Sequence, residues 1–317
     1  MDIDQHSGAG YKLRDGSYKF GLEVFRNDSL LLASEGEYLI KNSQRVMKNV
    51  IDSECKEILL IGGSHNFGQS LNDEETLQFA LNSNGFSTLN ISTPGYGLVN
   101  NLAIINEQKL KDDKLWKCSP KFIIYRFIND HINRDNLKTG LSPYGSYIKM
   151  ESDIPTLERS DITTVAGLLH MLALYMPTRL LWYASNKESE LFVKLLGRQL
   201  QRWWHFTEDD IKRSAYMLGS LPSFWDEVHD KPIVIVLIDG FKGNVVTEKY
   251  INFLQNFQNI EVILPSDSKK FESWAKINCL ELRLRTPTIP YEGHPTGCLN
   301  KFYSKKVLKQ LMTNRLE

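Results

Sequence analysis

The length and charge balance are those of an ordinary globular chain. Its 317 residues can bury a full hydrophobic core, as one large domain or as two. Lys plus Arg number 38 and Asp plus Glu also number 38, so no overall field attracts the chain to nucleic acid or to anionic lipid. We therefore expect no nucleic-acid partner.

No segment has the pattern of a signal peptide or of a membrane span. The first six residues lack both a basic start and an apolar run. The most apolar stretch, 168–183, contains a histidine, a proline and an arginine and is too short to cross a bilayer. We expect no transmembrane span, and a chain that is cytoplasmic, or extracytoplasmic if an N-terminal anchor was removed.

The cysteines form no recognisable metal or redox motif. They show neither a CxxC pair nor zinc-ligand spacing, which favours small buried hydrophobic residues. This interpretation applies to Cys55, Cys118, Cys279 and Cys298. It predicts no metal site and leaves the redox compartment open.

The N-terminal region has the pattern of antiparallel strands. Residues 11–50 alternate short apolar pieces with turn signals of the Asp-Gly and Asn-Asp kind. That pattern predicts a few antiparallel strands or an extended arm laid on the main domain. We divide the chain into an N-terminal β arm, 1–50, and an α/β domain, 51–317.

From residue 56 onward, strand patterns alternate with helix patterns. The predicted strands are 57–62, 86–91, 121–127, 232–238 and 259–264. The predicted helices are 73–84, 98–111, 245–257, 268–276 and 295–314. Strand alternating with helix is typical of a parallel sheet with right-handed crossovers. The sequence therefore predicts an α/β fold with a mostly parallel five-stranded sheet.

One segment, 156–228, interrupts this alternation and is rich in aromatic residues. We interpret it as an inserted helical subdomain of three or four helices. It contains a dense aromatic group formed by Trp182, Tyr183, Trp203, Trp204, Phe206, Tyr216, Phe224 and Trp225. Most of them are expected to form core. The alternatives are a lid in which one of them borders a site, or a surface that contacts a membrane or another protein.

A candidate nucleophile follows the first strand of this sheet. The apolar run 58–61 reads as a buried parallel strand and ends in Gly62, Gly63 and Ser64. A side chain at the carboxyl end of such a strand lies where open α/β folds bind ligands. Serine is a weak nucleophile unless a base removes its proton, and the resulting oxyanion needs fixed donors. A histidine, an acid and hydrogen-bond donors should therefore accompany Ser64.

The ends of the other predicted strands supply such groups. Gly95 lies in a glycine turn after the second strand, where its N–H can point into a site. Asn129 offers a side-chain amide after the third strand. After the last strand, Glu292 precedes His294 by two residues.

Three more residues are candidates for the pocket around Ser64. We interpret His65 as a surface or pocket residue and not as a second base, because adjacent side chains in a turn diverge. His131 either lines the pocket or is a solvated residue at a helix start. Arg126 could bind a substrate anion, although a structural ion pair is favoured. Asp239 is interpreted most simply as a turn residue, with a contact to the pocket as the alternative.

These ordered blocks resemble those of the SGNH hydrolases, the GDSL-type esterases and lipases. The resemblance runs from about residue 58 to about residue 307 and leaves the arm and the insertion uncovered. Ser64, Gly95, Asn129 and His294 match the four residues that give the family its name. The segment after Ser64 is similar to the turn and helix start common in bacterial members.

The chain departs from the family pattern at two positions. Gly63 replaces the aspartate of the Gly-Asp-Ser motif, and Glu292 replaces the aspartate before the histidine. The missing carboxylate mainly fixes the turn in the family, so we expect Gly63→Asp to tighten the turn and to leave activity equal or higher. Glutamate is expected to serve in place of the second aspartate.

The resemblance implies a flavodoxin-like three-layer α/β/α fold and the hydrolysis or transfer of acyl esters. Ser64 would attack the ester carbonyl, His294 would act as base and then acid, and Glu292 would hold the imidazole. The oxyanion hole would consist of the Ser64 N–H, the Gly95 N–H and the Asn129 side chain. Neither metal nor cofactor is implied.

The expected substrate is an acetyl or short-acyl ester, most plainly of a carbohydrate. Two alternatives stay open at this point. One is O-acetyl transfer to a cell-envelope polysaccharide, and the other is a non-catalytic binding or scaffold protein with the same fold.

Overall fold

The computed structural model describes most of the chain around a central parallel sheet. The described residues are 3–6, 10–26, 29–110, 119–136, 146–151, 154–159, 207–225, 231–239, 244–264, 268–280, 287–289 and 294–316. No helix within these ranges is long and apolar enough to cross a membrane.

The strands fall into an N-terminal group and a later group. The first comprises β1 (Ile3–His6), β2 (Gly10–Leu13), β3 (Gly16–Arg26), β4 (Ser29–Lys41) and β5 (Gln44–Val46). The second comprises β6 (Ile58–Gly62), β7 (Thr88–Asn90), β8 (Phe122–Phe127), β9 (Ser146–Glu151), β10 (Ile154–Arg159), β11 (Ile233–Ile238) and β12 (Ile260–Ile263).

The helices of the described ranges lie mostly between the later strands. They are α1 (Ser64–Phe67), α2 (Leu77–Ser83), α3 (Leu98–Leu110), α4 (Asp130–Asp135), α5 (Glu208–Ser220), α6 (Val245–Leu254), α7 (Ser268–Asn278) and α8 (Gly297–Leu316). Short 3₁₀ segments cover Asp73–Glu75 and Leu221–Trp225.

The predicted parallel sheet is confirmed. Within the described ranges it has five strands in the order β12-β11-β8-β6-β7, and every neighbouring pair is parallel. Counted along the chain from β6, this is the order 2-1-3-4-5 of flavodoxin-like folds. The order reverses at β6, because β7 lies on one side of it and β8 on the other. Such a reversal opens a crevice at the carboxyl ends of the strands.

Apolar side chains cover both faces of this sheet. Because successive side chains on a strand point to opposite faces, Leu59 and Ile61 join one buried cluster while Ile58 and Leu60 join the other. The first cluster packs against α3, α4, α5 and α6, and the second against α2, α7 and α8. The result is the expected three-layer α/β/α architecture.

The helix predicted at 73–84 is divided in two. A capping box between Asn72 and Glu75 closes the first turn. Thr76 then takes an extended conformation, with ψ 154°, and its hydroxyl accepts from the N–H of Phe79 at the start of α2. The helix restarts there because Thr76 is itself an N-cap.

The predicted insertion, 156–228, lies largely outside the described residues. Its described parts are the end of β10, which is a strand and not a helix, and the segment from α5 to Trp225. Ile211, Leu218 and Trp225 are buried in the first cluster, against the central sheet. This segment therefore belongs to the helical layer of the α/β domain. Trp182, Tyr183, Trp203, Trp204 and Phe206 lie outside the described ranges.

The interpretation of the cysteines was wrong in one respect. Cys279 and Cys298 are buried, as expected, but they form a disulfide that joins the end of α7 to α8. Cys55 is also disulfide-bonded. Sequence spacing could not reveal the first pair, because the pairing depends on how two helices of the outer layer pack.

The N-terminal β arm supports the loop that follows Ser64. In the arm, β4 pairs antiparallel with β3 and β5. Arg45, on β5, is 3% exposed and bonds Asp73 through Nε and Nη2, at 3.3 and 2.9 Å. It also donates to the carbonyls of Gly68, at 2.6 Å, and Leu71, at 2.8 Å. The Arg45 guanidinium thus fixes the loop between α1 and the 3₁₀ segment that begins at Asp73.

We expect Arg45→Met to destabilise the protein strongly. Methionine keeps the apolar stem but leaves the Asp73 carboxylate buried without its cation, a change that costs about 3–5 kcal/mol. Urea unfolding would measure the loss. Lys48→Ala is the matched control, since its ion pair with Glu74 is exposed and 3.7 Å long. Equal midpoints for the two variants would show that Arg45 is not a structural clamp.

Candidate active site

Ser64 lies at the reversal point of the central sheet. Gly62 ends β6, Gly63 is the N-cap, and Ser64 is the first residue of the four-residue helix α1. Gly68 ends this helix in a left-handed conformation, with φ 79°. The chain therefore turns sharply twice within six residues, and Ser64, 6% exposed, sits at the carboxyl edge of the sheet.

The side chain of Asn129 is oriented by a residue from a different element. Asn129 follows β8, the strand beside β6. Its Oδ1 lies 2.9 Å from the hydroxyl of Thr247 on α6, which donates to it. The N–H of Thr247 is occupied by Asn244 Oδ1. With Oδ1 held in this way, Asn129 presents its Nδ2 hydrogens as donors, which is what an oxyanion site requires.

Gly95 occupies the turn after β7, on the other side of β6. Its φ of 83° is in the left-handed region that favours glycine. The turn is closed by the Tyr96 N–H, which donates to the carbonyl of Thr93 at 3.0 Å. Ser64, Gly95 and Asn129 thus follow three adjacent strands at the same edge of the sheet.

His294 approaches the same edge from the segment before α8. Its carbonyl accepts from the Ile289 N–H at 2.7 Å, and Thr288 forms an antiparallel bridge with Pro295. The His294 ring lies 5.2 Å, centroid to centroid, from the ring of His65, the neighbour of Ser64. Glu292 lies outside the described residues, so its predicted contact with His294 stays a prediction.

A buried trio at the site was not foreseen from the sequence. Asp239, at the end of β11, accepts from His65 Nδ1 at 2.6 Å. The same carboxylate receives two bonds from Arg126 on β8, through Nε at 2.6 Å and Nη2 at 2.9 Å. Arg126 also donates to the His65 carbonyl at 3.1 Å and to Asn300 Oδ1. His65 is therefore held by both its side chain and its backbone.

The protonation states of this trio follow from its contacts. Burial alone would raise the pKa of Asp239, but the Arg126 guanidinium and the His65 N–H outweigh burial and hold that pKa below its usual range. Burial lowers the pKa of His65, and the bond to Asp239 offsets this only in part. Asp239 is thus a carboxylate beside a neutral imidazole.

Arg126 and His131 do not offer a surface to a substrate. Arg126 is 0% exposed and donates hydrogen bonds to Asp239, His65 and Asn300. The structural ion pair is therefore the correct interpretation. His131 is fully buried on α4, and its Nδ1 lies 2.9 Å from the Tyr125 hydroxyl. Burial, with the nearby Arg134 charge, lowers the pKa of His131 well below its usual value. The expectation of a solvated helix-start residue was wrong.

The place of the family's aspartate is filled by other side chains. A Cβ on Gly63 would lie 2.8 Å from the Tyr96 carbonyl oxygen, 2.9 Å from His131 Nε2 and 3.0 Å from Arg134 Nη1. Gly63 has φ −102°, so its backbone does not require glycine. Space alone excludes a side chain here, which contradicts the expectation that an aspartate fits.

The sequence analysis did not assign Asp239 or Thr247 to the site, and only Asp239 lies in a sequence pattern that could have indicated it. Asp239 directly follows a buried strand, and a carboxylate at that position of a parallel sheet could have been ranked higher. Thr247 lies within a helix, where a threonine carries no distinguishing pattern. Among the described residues, no three His, Cys, Asp or Glu side chains are arranged to hold a metal ion.

The comparisons with known proteins include a distant structural similarity to an esterase. No protein-family model matches the chain, and no curated protein matches it. The fold is similar to that of an acetyl xylan esterase from the rumen bacterium Butyrivibrio proteoclasticus, with a TM-score of 0.42 and 10% sequence identity. The match covers 90% of this chain and 69% of the esterase chain. A similarity this low does not indicate the function, which must be inferred from the residues of the site.

We expect even Gly63→Ala to destabilise the protein, and Gly63→Asp to do so at least as much. The added Cβ would lie too close to the backbone carbonyl of Tyr96, which cannot rotate away as a flexible side chain can. Overpacking of this kind costs about 1–3 kcal/mol. Thermal unfolding would measure it. Gly21→Ala is the matched control, because a Cβ there meets nothing within 4 Å. A Gly63→Asp variant as stable as the parent would restore the expectation drawn from the family motif.

Proposed function

We propose that this chain is an ester hydrolase of the SGNH type, with Ser64 as its nucleophile. The observation that carries the proposal is the pairing of two features at the reversal of strand order. Ser64 begins a helix at the end of β6. At the end of the adjacent β8, the Asn129 amide is oriented by Thr247, and no described residue accepts from its N–H groups. A nucleophile beside a fixed donor is the minimum needed for acyl transfer.

In the proposed reaction the Ser64 hydroxyl attacks the ester carbonyl. His294 takes the hydroxyl proton as the new bond between Oγ and carbon forms, and gives it to the departing alkoxide as the old carbon–oxygen bond breaks. The N–H groups of Ser64 and Gly95 and the Asn129 amide would stabilise the oxyanion. Water then attacks the acyl-enzyme while His294 takes its proton. His294 returns that proton to Ser64 Oγ as the bond between Oγ and carbon breaks and the acid is released. Glu292 is proposed as the residue that orients His294.

The burial of Ser64 favours a small acyl group. Only 6% of the surface of Ser64 is exposed, so neighbouring residues cover most of it. An acetyl group fits such a setting better than a long chain does. We therefore keep the acetyl or short-acyl ester of a carbohydrate as the proposed substrate. The disulfide between Cys279 and Cys298 fits an oxidising compartment, where such esters of external polysaccharides occur.

We expect a fluorophosphonate probe to label the protein at Ser64, and the protein to hydrolyse p-nitrophenyl acetate. Ser64→Ala should abolish both signals, and His294→Ala should reduce both by about 10³-fold or more, as loss of a catalytic base does. Mass spectrometry of the labelled peptide identifies the residue. A folded protein that neither reacts with the probe nor hydrolyses the ester would instead be a non-catalytic binding protein.

We expect Thr247→Val to lower kcat for p-nitrophenyl acetate and to change KM little. Valine has nearly the same shape but cannot hold Asn129 Oδ1, so the amide would lose its fixed direction. Loss of an oxyanion donor costs about 100- to 1,000-fold, so Asn129→Ala sets the upper limit and Thr247→Val should fall roughly tenfold. Thr247→Ser keeps the hydroxyl and is the matched control. Parent-like kcat for Thr247→Val would remove Thr247 from the mechanism.

A further inference from the structure

His65 is more firmly fixed than a residue that merely lines a pocket would need to be. Its Nδ1 is bound to Asp239 at 2.6 Å, and its carbonyl accepts from Arg126 at 3.1 Å. Asp239 is in turn fixed by two bonds to the same arginine. A side chain held by a buried ion pair loses its rotational freedom when the protein folds, so it can bind a ligand without a further entropic cost.

The contacts of His65 determine which of its ring nitrogens carries the proton. Asp239 is a carboxylate with no hydrogen to donate, so His65 Nδ1 must be the donor of their bond. The imidazole is neutral because burial disfavours its charged form. Its Nε2 therefore carries a lone pair and acts only as an acceptor. As a hydrogen-bond acceptor, it is satisfied by an O–H or N–H group.

Within the described part of the chain, the Nε2 atom of His65 has no hydrogen-bond partner. No residue in the described ranges donates to it, and the side chain is 16% exposed, so the ring reaches the crevice. The charged and titratable groups around the ring are Asp239 and Arg126 on the sheet, His294 before α8 and His131 on α4. His294 is the nearest of these rings, with its centroid 5.2 Å away. The acceptor thus lies beside the pair of residues proposed to carry out acyl transfer.

We propose that His65 Nε2 accepts a hydrogen bond from a hydroxyl group on the alcohol part of the ester substrate. The ligand class is a partly acylated polyol, such as a sugar with a free hydroxyl next to its acetyl group. This inference rests on the proposed function and specifies its substrate. His65 is then a residue that determines specificity and takes no proton from Ser64. An ester without the hydroxyl would cover this acceptor without satisfying it, which weakens its binding.

His65→Asn is the variant that separates recognition from structure. The Asn Nδ2 can occupy the position of the histidine Nδ1 and keep the bond to Asp239, while nothing replaces Nε2. His65→Gln is the complementary variant, because it can reach the Nε2 position but loses the bond to Asp239. Thermal unfolding should therefore leave His65→Asn close to the parent and destabilise His65→Gln.

The test compares two acetate esters of one methyl glycoside, one with the neighbouring hydroxyl free and one with it methylated. In the parent, we expect kcat/KM to be roughly tenfold higher for the free hydroxyl, the effect of one hydrogen bond. His65→Asn should remove that preference through KM, with unchanged hydrolysis of p-nitrophenyl acetate and unchanged probe labelling of Ser64. Calorimetric binding of both esters to Ser64→Ala, with and without His65→Asn, gives the same comparison without turnover.

Two results would overturn this inference. One is a preference for the free hydroxyl that is absent in the parent or survives in His65→Asn. The other is a parallel fall of all substrates and of probe labelling in a folded His65→Asn variant, which would assign His65 to the chemistry at Ser64. Failure of the proposed function has a different signature: Ser64 is not labelled and no ester is cleaved, while the binding comparison still reports on His65.

Discussion

The buried ion pair between Arg126 and Asp239 is the interaction on which the site depends. Arg126 lies in the central strand β8 with no exposed surface, in a layer otherwise made of isoleucine, tyrosine and phenylalanine. A lone charge there would cost several kcal/mol, and the cost is offset only when geometry and hydrogen bonding are complete. Asp239 supplies a two-point partner, and the remaining donors reach the His65 carbonyl and Asn300. One side chain thereby joins β11, α1 and α8 to the centre of the sheet.

Helix α1 needs this support because it is too short to be stable alone. A four-residue helix contains little more than the first hydrogen-bonded turn, and isolated helices of that length do not persist in water. Arg126 binds its first turn through the His65 carbonyl, and Arg45 binds its end through the carbonyl of Gly68. The two guanidinium groups come from opposite parts of the fold, the central sheet and the N-terminal arm. Ser64 is therefore rigid without belonging to a long element, which is what a preorganised nucleophile requires.

The sequence predicted the layers of this fold because their signals are local. Apolar runs such as 58–61 and capping boxes such as the one at Asn72 are set by neighbours within a few residues. The blocks containing Ser64 and Asn129 follow two of the predicted parallel strands, whose carboxyl ends lie at one edge of the sheet. The bonds of Asp239 to Arg126 and His65, and the Cys279–Cys298 bond, could not be inferred in that way, because each depends on distances between elements far apart in the chain.

The glycine at position 63 shows how a departure from a family motif can be compensated in space. Where the family has a carboxylate, this chain has the His131 ring and the Arg134 guanidinium, and Arg134 Nη1 donates to the Tyr96 carbonyl at 2.9 Å. The turn before Ser64 is thus held by groups from α4 and not by its own residue. Arg134 is paired with Asp130 at 2.6 Å, so the groups beside Gly63 add little net charge near Ser64, where an aspartate would add a negative one. An oxyanion forming at Ser64 would be repelled less by these neighbours than by an aspartate, since the Coulomb energy at short range in a buried site is large. The loss of the motif's carboxylate is therefore compatible with the chemistry proposed for Ser64.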